Sequence, residues 1–137
     1  MGPRCSFPRR RDARMTRTFL VVDDSRLARM SVTRLLADAR PGWTVIEAAN
    51  AEEALAAAAQ ARIDGAVIDY NMPGLNGLEL AAKLRTLNPR TTIALVTANF
   101  QTDIVARAAA IPALFLPKPL RPQSFDLFLS GIDAPAA

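Results

Sequence analysis

The chain has 137 residues, of which half are apolar and 22% are charged, and its formal net charge is +4. These values are typical of one soluble globular domain, and no stretch approaches the ~20 apolar residues that a membrane span needs. One cysteine, Cys5, excludes an internal disulfide, and the absence of histidine argues against zinc or copper sites. We therefore expect a reduced cytoplasmic protein.

The excess positive charge lies at the amino terminus. Residues 1–14 hold five arginines and one aspartate, whereas residues 15–137 carry 12 basic and 12 acidic side chains. We expect residues 1–16 to be a disordered leader or an over-extended start, residues 17–131 to form the domain, and 132–137 to be a short tail. The alternative is that the run Pro8-Arg-Arg-Arg binds nucleic acid as a basic arm.

From Thr18 onward, apolar runs alternate with amphipathic stretches, which is the pattern of βα units. Near-continuous apolar runs are typical of parallel strands that are buried on both faces. Capping side chains at Asn50 and Asn76, and Pro122 in a first turn, mark helix starts. The predicted strands are Phe19–Val22, Thr44–Ala48, Gly65–Asp69, Thr92–Thr97 and Ala113–Leu116. The predicted helices are Arg26–Ala39, Ala51–Arg62, a third that starts at Asn76, Asp103–Ala110 and a short Pro122–Leu129.

Five such units predict an α/β fold, with a doubly wound sheet of five parallel strands and right-handed crossovers. Pro117 closes the last run and cannot donate to a ladder, which predicts an edge strand there, as in the strand order 2-1-3-4-5. Phe19 and Trp43 are interpreted as packing residues.

Charged side chains follow three of the predicted strands. Asp23 and Asp24 follow the first strand, Asp69 ends the third, and Lys118 follows the fifth. The carboxyl ends of parallel strands share one edge, so these groups should converge. A pair of carboxylates ~4 Å apart repels by about 4 kcal/mol at intermediate dielectric, which favours a bound cation. Oxygen donors of this kind suit Mg²⁺ better than Ca²⁺.

A lysine beside such a site suits a transferring phosphoryl group, whose oxygens carry negative charge. Thr97, at the end of the fourth predicted strand, could offer its hydroxyl to one of those oxygens. A carboxylate can accept the phosphoryl group as an aspartyl phosphate. Asp69 ends the central strand before an accessible loop, and we identify it as the predicted nucleophile.

These residues lie in motifs that resemble the receiver domain of two-component response regulators, with a length similar to that of single-domain, CheY-like members. The resemblance covers residues 17–131, and it implies a flavodoxin-like fold. The motifs are Val21-Val-Asp-Asp-Ser25, Val67-Ile-Asp-Tyr-Asn-Met-Pro-Gly-Leu-Asn-Gly77, Val96-Thr-Ala98 and Phe115-Leu-Pro-Lys-Pro-Leu120.

The resemblance implies roles for the acidic residues. Asp69 would be the phosphoacceptor. Asp24, Asp69 and the backbone carbonyl of Asn71 would bind Mg²⁺ directly, and Asp23 would act mainly through a metal-bound water.

It also implies roles at the ends of the last two strands. Thr97, Ala98 and Lys118 would contact the phosphoryl group, and Thr97 with Phe115 would form a switch pair. Two further roles are implied: Asn71 and Asn99 would tune the phosphoryl lifetime, and the peptide before Pro119 would be cis.

Partners are implied in the same way. A histidine kinase or a histidine phosphotransfer protein would donate the phosphoryl group, docking on the first helix near Leu27, Met30 and Arg34. A downstream protein would bind the face made by the fourth helix, fifth strand and fifth helix. The loop at 109–113 departs from the family pattern because Pro112 lacks an amide hydrogen and fixes φ, so we expect a reshaped loop on that face. No membrane or nucleic-acid partner is expected.

With no chain left for an effector after residue 131, we expect a stand-alone switch that modifies and dephosphorylates itself but is not an enzyme for outside substrates. The alternatives are a phosphorelay shuttle and a phosphate-independent pseudo-receiver scaffold. Another is a haloacid-dehalogenase-type phosphatase, although that class places its nucleophile in an Asp-x-Asp pattern after the first strand.

Overall fold

Five short apolar runs form one parallel sheet. The structure, a computed structural model, describes residues 17–72, 76–97, 113–118 and 120–133. The strands lie in the order β2-β1-β3-β4-β5, and every neighbouring pair is parallel. Their bounds are β1 Thr18–Val22, β2 Thr44–Ala48, β3 Gly65–Asp69, β4 Thr92–Thr97 and β5 Ala113–Pro117. The predicted strand order is confirmed, and the strand that ends at Pro117 lies at an edge.

The described helices are α1 Arg26–Ala39, α2 Ala51–Gln60, α3 Gly77–Leu87 and α4 Pro122–Asp133. Side chains satisfy the free amides at three of their starts. Ser25 accepts from the amide of Ala28, Asn50 from that of Glu53, and Asn76 begins a reciprocal capping box with Glu79. The helix predicted at 103–110, and residues 109–112 of the unusual loop, lie outside the described residues.

The last helix is longer than predicted. The expected helix Pro122–Leu129 continues to Asp133 in the structure. The extra turn is held because the side chain of Ile132 is buried in the core and that of Asp133 forms an ion pair with Arg40. The prediction of a short helix was therefore wrong, since tertiary packing carries the helix through Gly131.

Side chains on the strands alternate between two cores, one on each face of the sheet. On one face, Leu20, Ile68 and Leu95 pack with residues of α2 and α3. On the other, Phe19 packs among residues of α1 and α4, with ring centroids 6.4 Å from Trp43, 5.8 Å from Phe125 and 6.1 Å from Phe128. The predicted packing roles of Phe19 and Trp43 are confirmed. Both faces of the sheet are covered, so its carboxyl edge is where polar groups meet solvent.

Within the described ranges, none of the helices combines the length and the apolar character that a membrane crossing requires.

Candidate functional site

Three carboxylates converge at the carboxyl edge of the sheet. One oxygen atom from each of Asp23, Asp24 and Asp69 lies within 4.8 Å of the others. The strands β1 and β3 are neighbours, with Val22 opposite Ile68, so the residues that follow them leave the sheet side by side. Asp23 and Asp69 are buried, whereas Asp24 is exposed. The structure thus brings together the acidic residues singled out in the sequence.

Lys118 contributes a positively charged side chain to the site. Its ammonium nitrogen Nζ lies 3.2 Å from Oδ1 of Asp69 and 3.7 Å from Oδ2 of Asp23. Its backbone amide donates to the carbonyl of Thr97 over 3.0 Å, one residue beyond the pair formed by Thr97 and Pro117. The ladder between β4 and β5 therefore extends past the proline and places Lys118 at the site.

The environment of Asp23 disfavours its charged form. Burial raises the pKa of Asp23 above the ordinary value of 3.8, and the neighbouring carboxylate of Asp69 adds to this effect. The amide of Ser25, which donates to Oδ1 over 2.9 Å, and the charge of Lys118 act in the opposite direction. One ammonium thus does not offset the burial and mutual repulsion of these acids.

The backbone around Asp69 is tightly held. The amide of Asn71 donates to Oδ1 of Asp69 over 3.2 Å, and the amide of Gly77 donates to the carbonyl of Tyr70 over 3.1 Å. A Cβ atom at Gly77 would lie 2.8 Å from the Cα of Tyr70 and 3.1 Å from the carbonyl oxygen of Asp69. Glycine at this position is therefore what lets the start of α3 approach the end of β3 so closely.

Thr97 and Phe115 lie on the neighbouring strands β4 and β5. Thr97 is fully buried, and its hydroxyl accepts a hydrogen bond from the side-chain amide of Asn71 over 3.2 Å. Phe115 is opposite Leu95 in the ladder, and its partly buried side chain packs against the core cluster that contains Leu95. The other residues predicted for the site, Ala98, Asn99 and Pro119, lie outside the described residues.

Sequence reasoning missed one contributor to this edge. Arg29 is not among the residues that the sequence motifs single out. In the structure, its Nη1 donates to the carbonyl oxygen of Asp23 over 2.7 Å, and its Nε donates to Oε1 of Glu47 over 3.0 Å. No sequence motif predicts this contact, because it joins a residue of α1 to the segment after β1 and to a residue of β2.

The chemistry of the donors fits a hard divalent cation. The three carboxylates outnumber the ammonium group that faces them, and two of them are buried. Clustered carboxylate oxygens with an open, solvent-facing side suit Mg²⁺, which keeps several of its waters when bound. Asp23, Asp24 and Asp69 are the residues that would hold it.

Comparisons with known proteins agree with this geometry. A model of the response regulator receiver domain matches residues 19–128. The cyclic di-GMP phosphodiesterase response regulator RpfG of Xanthomonas campestris pv. campestris is 34% identical over 116 residues, which cover 82% of this chain and 31% of RpfG. The chain spans half or less of the length of the curated relatives it matches.

Solved structures give the same result. Chemotaxis protein CheY4 of Vibrio cholerae superimposes with a TM-score of 0.76 at 32% identity, over 85% of this chain and 98% of CheY4. A response regulator of Burkholderia pseudomallei, solved with a phosphorylated aspartic acid and a calcium ion, superimposes with a TM-score of 0.72 at 27% identity, over 85% of this chain and 68% of that protein. The sheet order, the acidic edge and the extent of the match together show that this chain belongs to the response regulator receiver domain family.

Proposed function

We propose that this chain accepts a phosphoryl group on Asp69 from the phosphohistidine of a histidine kinase or a histidine phosphotransfer protein. The observation that carries the proposal is the position of Lys118, whose Nζ is 3.2 Å from Oδ1 of Asp69. A buried carboxylate with a cation at contact distance, beside two further carboxylates, suits phosphoryl transfer.

In the proposed reaction, a carboxylate oxygen of Asp69 forms a bond to phosphorus while the phosphorus–nitrogen bond of the phosphohistidine breaks. The electron pair of that bond stays with the departing imidazole. The ammonium of Lys118 stabilises the charge on the phosphoryl oxygens. Asp23, Asp24, Asp69 and the carbonyl of Asn71 would hold Mg²⁺, which would supply further positive charge to those oxygens.

Signal output is part of the same proposal. The hydroxyl of Thr97 would turn from Asn71 toward the phosphoryl group, and the ring of Phe115 would follow into the space released. A downstream protein would recognise the face that includes β5 and α4, where Leu114 and Leu127 are 49% and 76% exposed. Onward relay of the phosphoryl group to a second histidine is the alternative output.

The test uses a small phosphodonor, such as acetyl phosphate or phosphoramidate, with Mg²⁺ and intact-protein mass spectrometry. We expect one added phosphoryl group on the wild type and none on Asp69→Asn. Asp38→Asn, an exposed aspartate on α1, is the matched control and should be modified normally. Equal and equally stable modification of Asp69→Asn would overturn the assignment. Sustained turnover of p-nitrophenyl phosphate would favour a phosphatase instead.

A further inference from the structure

Three hydrogen bonds hold Asp23, two through its backbone and one through its side chain. Its amide donates to the carbonyl of Ala48 on β2 over 3.1 Å, and its Oδ1 accepts from the amide of Ser25 over 2.9 Å. Its carbonyl oxygen accepts from Nη1 of Arg29 over 2.7 Å. We call the contacts of Arg29 with the Asp23 carbonyl and with Glu47 the Arg29 bridge.

The carbonyl of Asp23 lies where the chain leaves the sheet, one residue after β1 ends. A backbone carbonyl at such a point needs a partner, because the strand ladder no longer supplies one. A guanidinium donor gives a shorter and stronger bond than a neutral donor. Arg29 thus supplies a charged donor to the peptide between Asp23 and Asp24.

The other end of the bridge is fixed to β2. Nε of Arg29 donates to Oε1 of Glu47 over 3.0 Å, with 15% of the Arg29 side chain and 41% of the Glu47 side chain exposed. Glu47 directly precedes Ala48, whose carbonyl oxygen accepts the hydrogen bond from the amide of Asp23. The planar guanidinium, with donors in a fixed fork, can serve both oxygens at once, which a single ammonium does less well.

Arg29 is also well placed on its helix. Its amide donates to the carbonyl of Ser25 over 3.1 Å, so it lies one turn after the helix cap. Side chains on a helix point back toward the amino terminus, which directs the guanidinium to the loop that carries the acid pair.

We propose that Arg29 is a positioning residue of the acidic site. By fixing the Asp23–Asp24 peptide, it holds both carboxylates toward Asp69, and it thereby sets the affinity of the site for Mg²⁺. The inference rests on the proposed function, because it concerns the same cation site.

A purely electrostatic role for Arg29 predicts the opposite result. A positive charge near a cation site repels the cation, so removal of that charge should strengthen Mg²⁺ binding. Positioning predicts weaker binding when the donors are lost. The sign of the change in affinity therefore separates the two roles.

The experiment measures Mg²⁺ binding by isothermal titration calorimetry for Arg29→Met, which removes donors and charge, and for Arg29→Lys, which retains the charge. The matched control is Arg26→Met, an exposed arginine that begins the same helix two residues after Asp24. We expect the Kd for Mg²⁺ to rise roughly tenfold in Arg29→Met, as is typical when the support of a metal ligand is lost. Arg29→Lys should show a smaller rise, and Arg26→Met unchanged or tighter binding.

Phosphorylation by acetyl phosphate at increasing Mg²⁺ gives a second readout. Because Asp69 and Lys118 are untouched, the rate of Arg29→Met should return to the wild-type plateau at saturating Mg²⁺. Unchanged or tighter Mg²⁺ binding by Arg29→Met, or a lowered plateau with normal binding, would overturn the positioning role. Circular dichroism checks that each variant is folded. If the wild type itself neither binds Mg²⁺ nor accepts a phosphoryl group, the proposed function fails, which is a separate result.

Discussion

The side-chain amide of Asn71 donates a hydrogen bond to the hydroxyl of Thr97 over 3.2 Å. This contact joins the loop after β3 to the end of β4, and it lies beside Asp69, whose Oδ1 accepts from the backbone amide of the same asparagine. The hydroxyl proposed to move on phosphorylation is therefore tied to the residue two positions after the proposed acceptor. In the proposed switch, the hydroxyl of Thr97 exchanges this partner for the phosphoryl group as it turns.

A double-mutant cycle between Asn71→Ala and Thr97→Val should detect this coupling in the unphosphorylated protein. We expect an interaction of about 0.5–1 kcal/mol from urea unfolding, the usual contribution of one such hydrogen bond. With beryllium fluoride, a stable mimic of the phosphoryl group, the coupling should fall toward zero because the hydroxyl has turned away. Coupling that is the same in both states would contradict the proposed movement of Thr97.

Lys118→Met should separate phosphoryl transfer from cation binding. The rate of phosphorylation by acetyl phosphate should fall about 100-fold or more, because the charge that faces the transferring oxygens is lost. Binding of Mg²⁺ should stay the same or tighten, since the ammonium no longer competes for the carboxylates of Asp23 and Asp69. Lys83→Met, an exposed site on α3, is the control. A parallel loss of Mg²⁺ affinity would count against this division of roles.

The raised pKa of Asp23 predicts how stability depends on pH in metal-free protein. Unfolded Asp23 titrates near 3.8 and the folded residue titrates higher, so the folded state binds more protons between these values. The contribution of Asp23 to the free energy of unfolding therefore falls as the pH rises through this interval, and the loss persists at neutral pH.

Asp23→Asn removes this penalty. In EDTA at neutral pH, its Tm should exceed that of the wild type by a few degrees, and the difference should shrink at about pH 4 and below. Added Mg²⁺ should raise the Tm of the wild type more than that of the variant. The measurement is thermal unfolding followed by circular dichroism, with Asp38→Asn as the control. A lower Tm for Asp23→Asn in EDTA would show that its other contacts outweigh the repulsion.

The last turn of α4 should contribute measurably to stability. Arg40 pairs with Asp126 over 3.1 Å and also with Asp133, and Asp133 is the main cause of the raised pKa of Arg40. Arg40→Met should lower the free energy of unfolding by about 1 kcal/mol or less, because the side chains of Asp126 and Asp133 are 59% and 40% exposed. The loss should be smaller at high salt, which screens these ion pairs.

Ile132→Ala should cost more, about 2 kcal/mol or above, because its side chain is buried. Urea unfolding measures both changes. An Ile132→Ala variant as stable as the wild type would show that the helix end does not support the core.

Much of this architecture can be predicted because the sheet is covered on both faces. Its strands therefore appear as continuous apolar runs, and their carboxyl ends identify Asp23, Asp69 and Lys118 as neighbours. The end of α4 was less predictable, because a glycine at 131 suggests termination while the burial of Ile132 depends on the tertiary fold. The contacts of Arg29 and Asn71 depend on how separate elements meet, and no local pattern encodes them.

The central claim is that Asp69 is the residue that carries the phosphoryl group, and chemical mapping tests it most directly. The protein is phosphorylated with acetyl phosphate and Mg²⁺ and reduced with borohydride, which converts an aspartyl phosphate to homoserine, and its peptides are then sequenced by mass spectrometry. We expect homoserine at position 69 alone. Homoserine at position 23 or 24 instead, or a phosphoryl group on a hydroxyl side chain, would contradict the account.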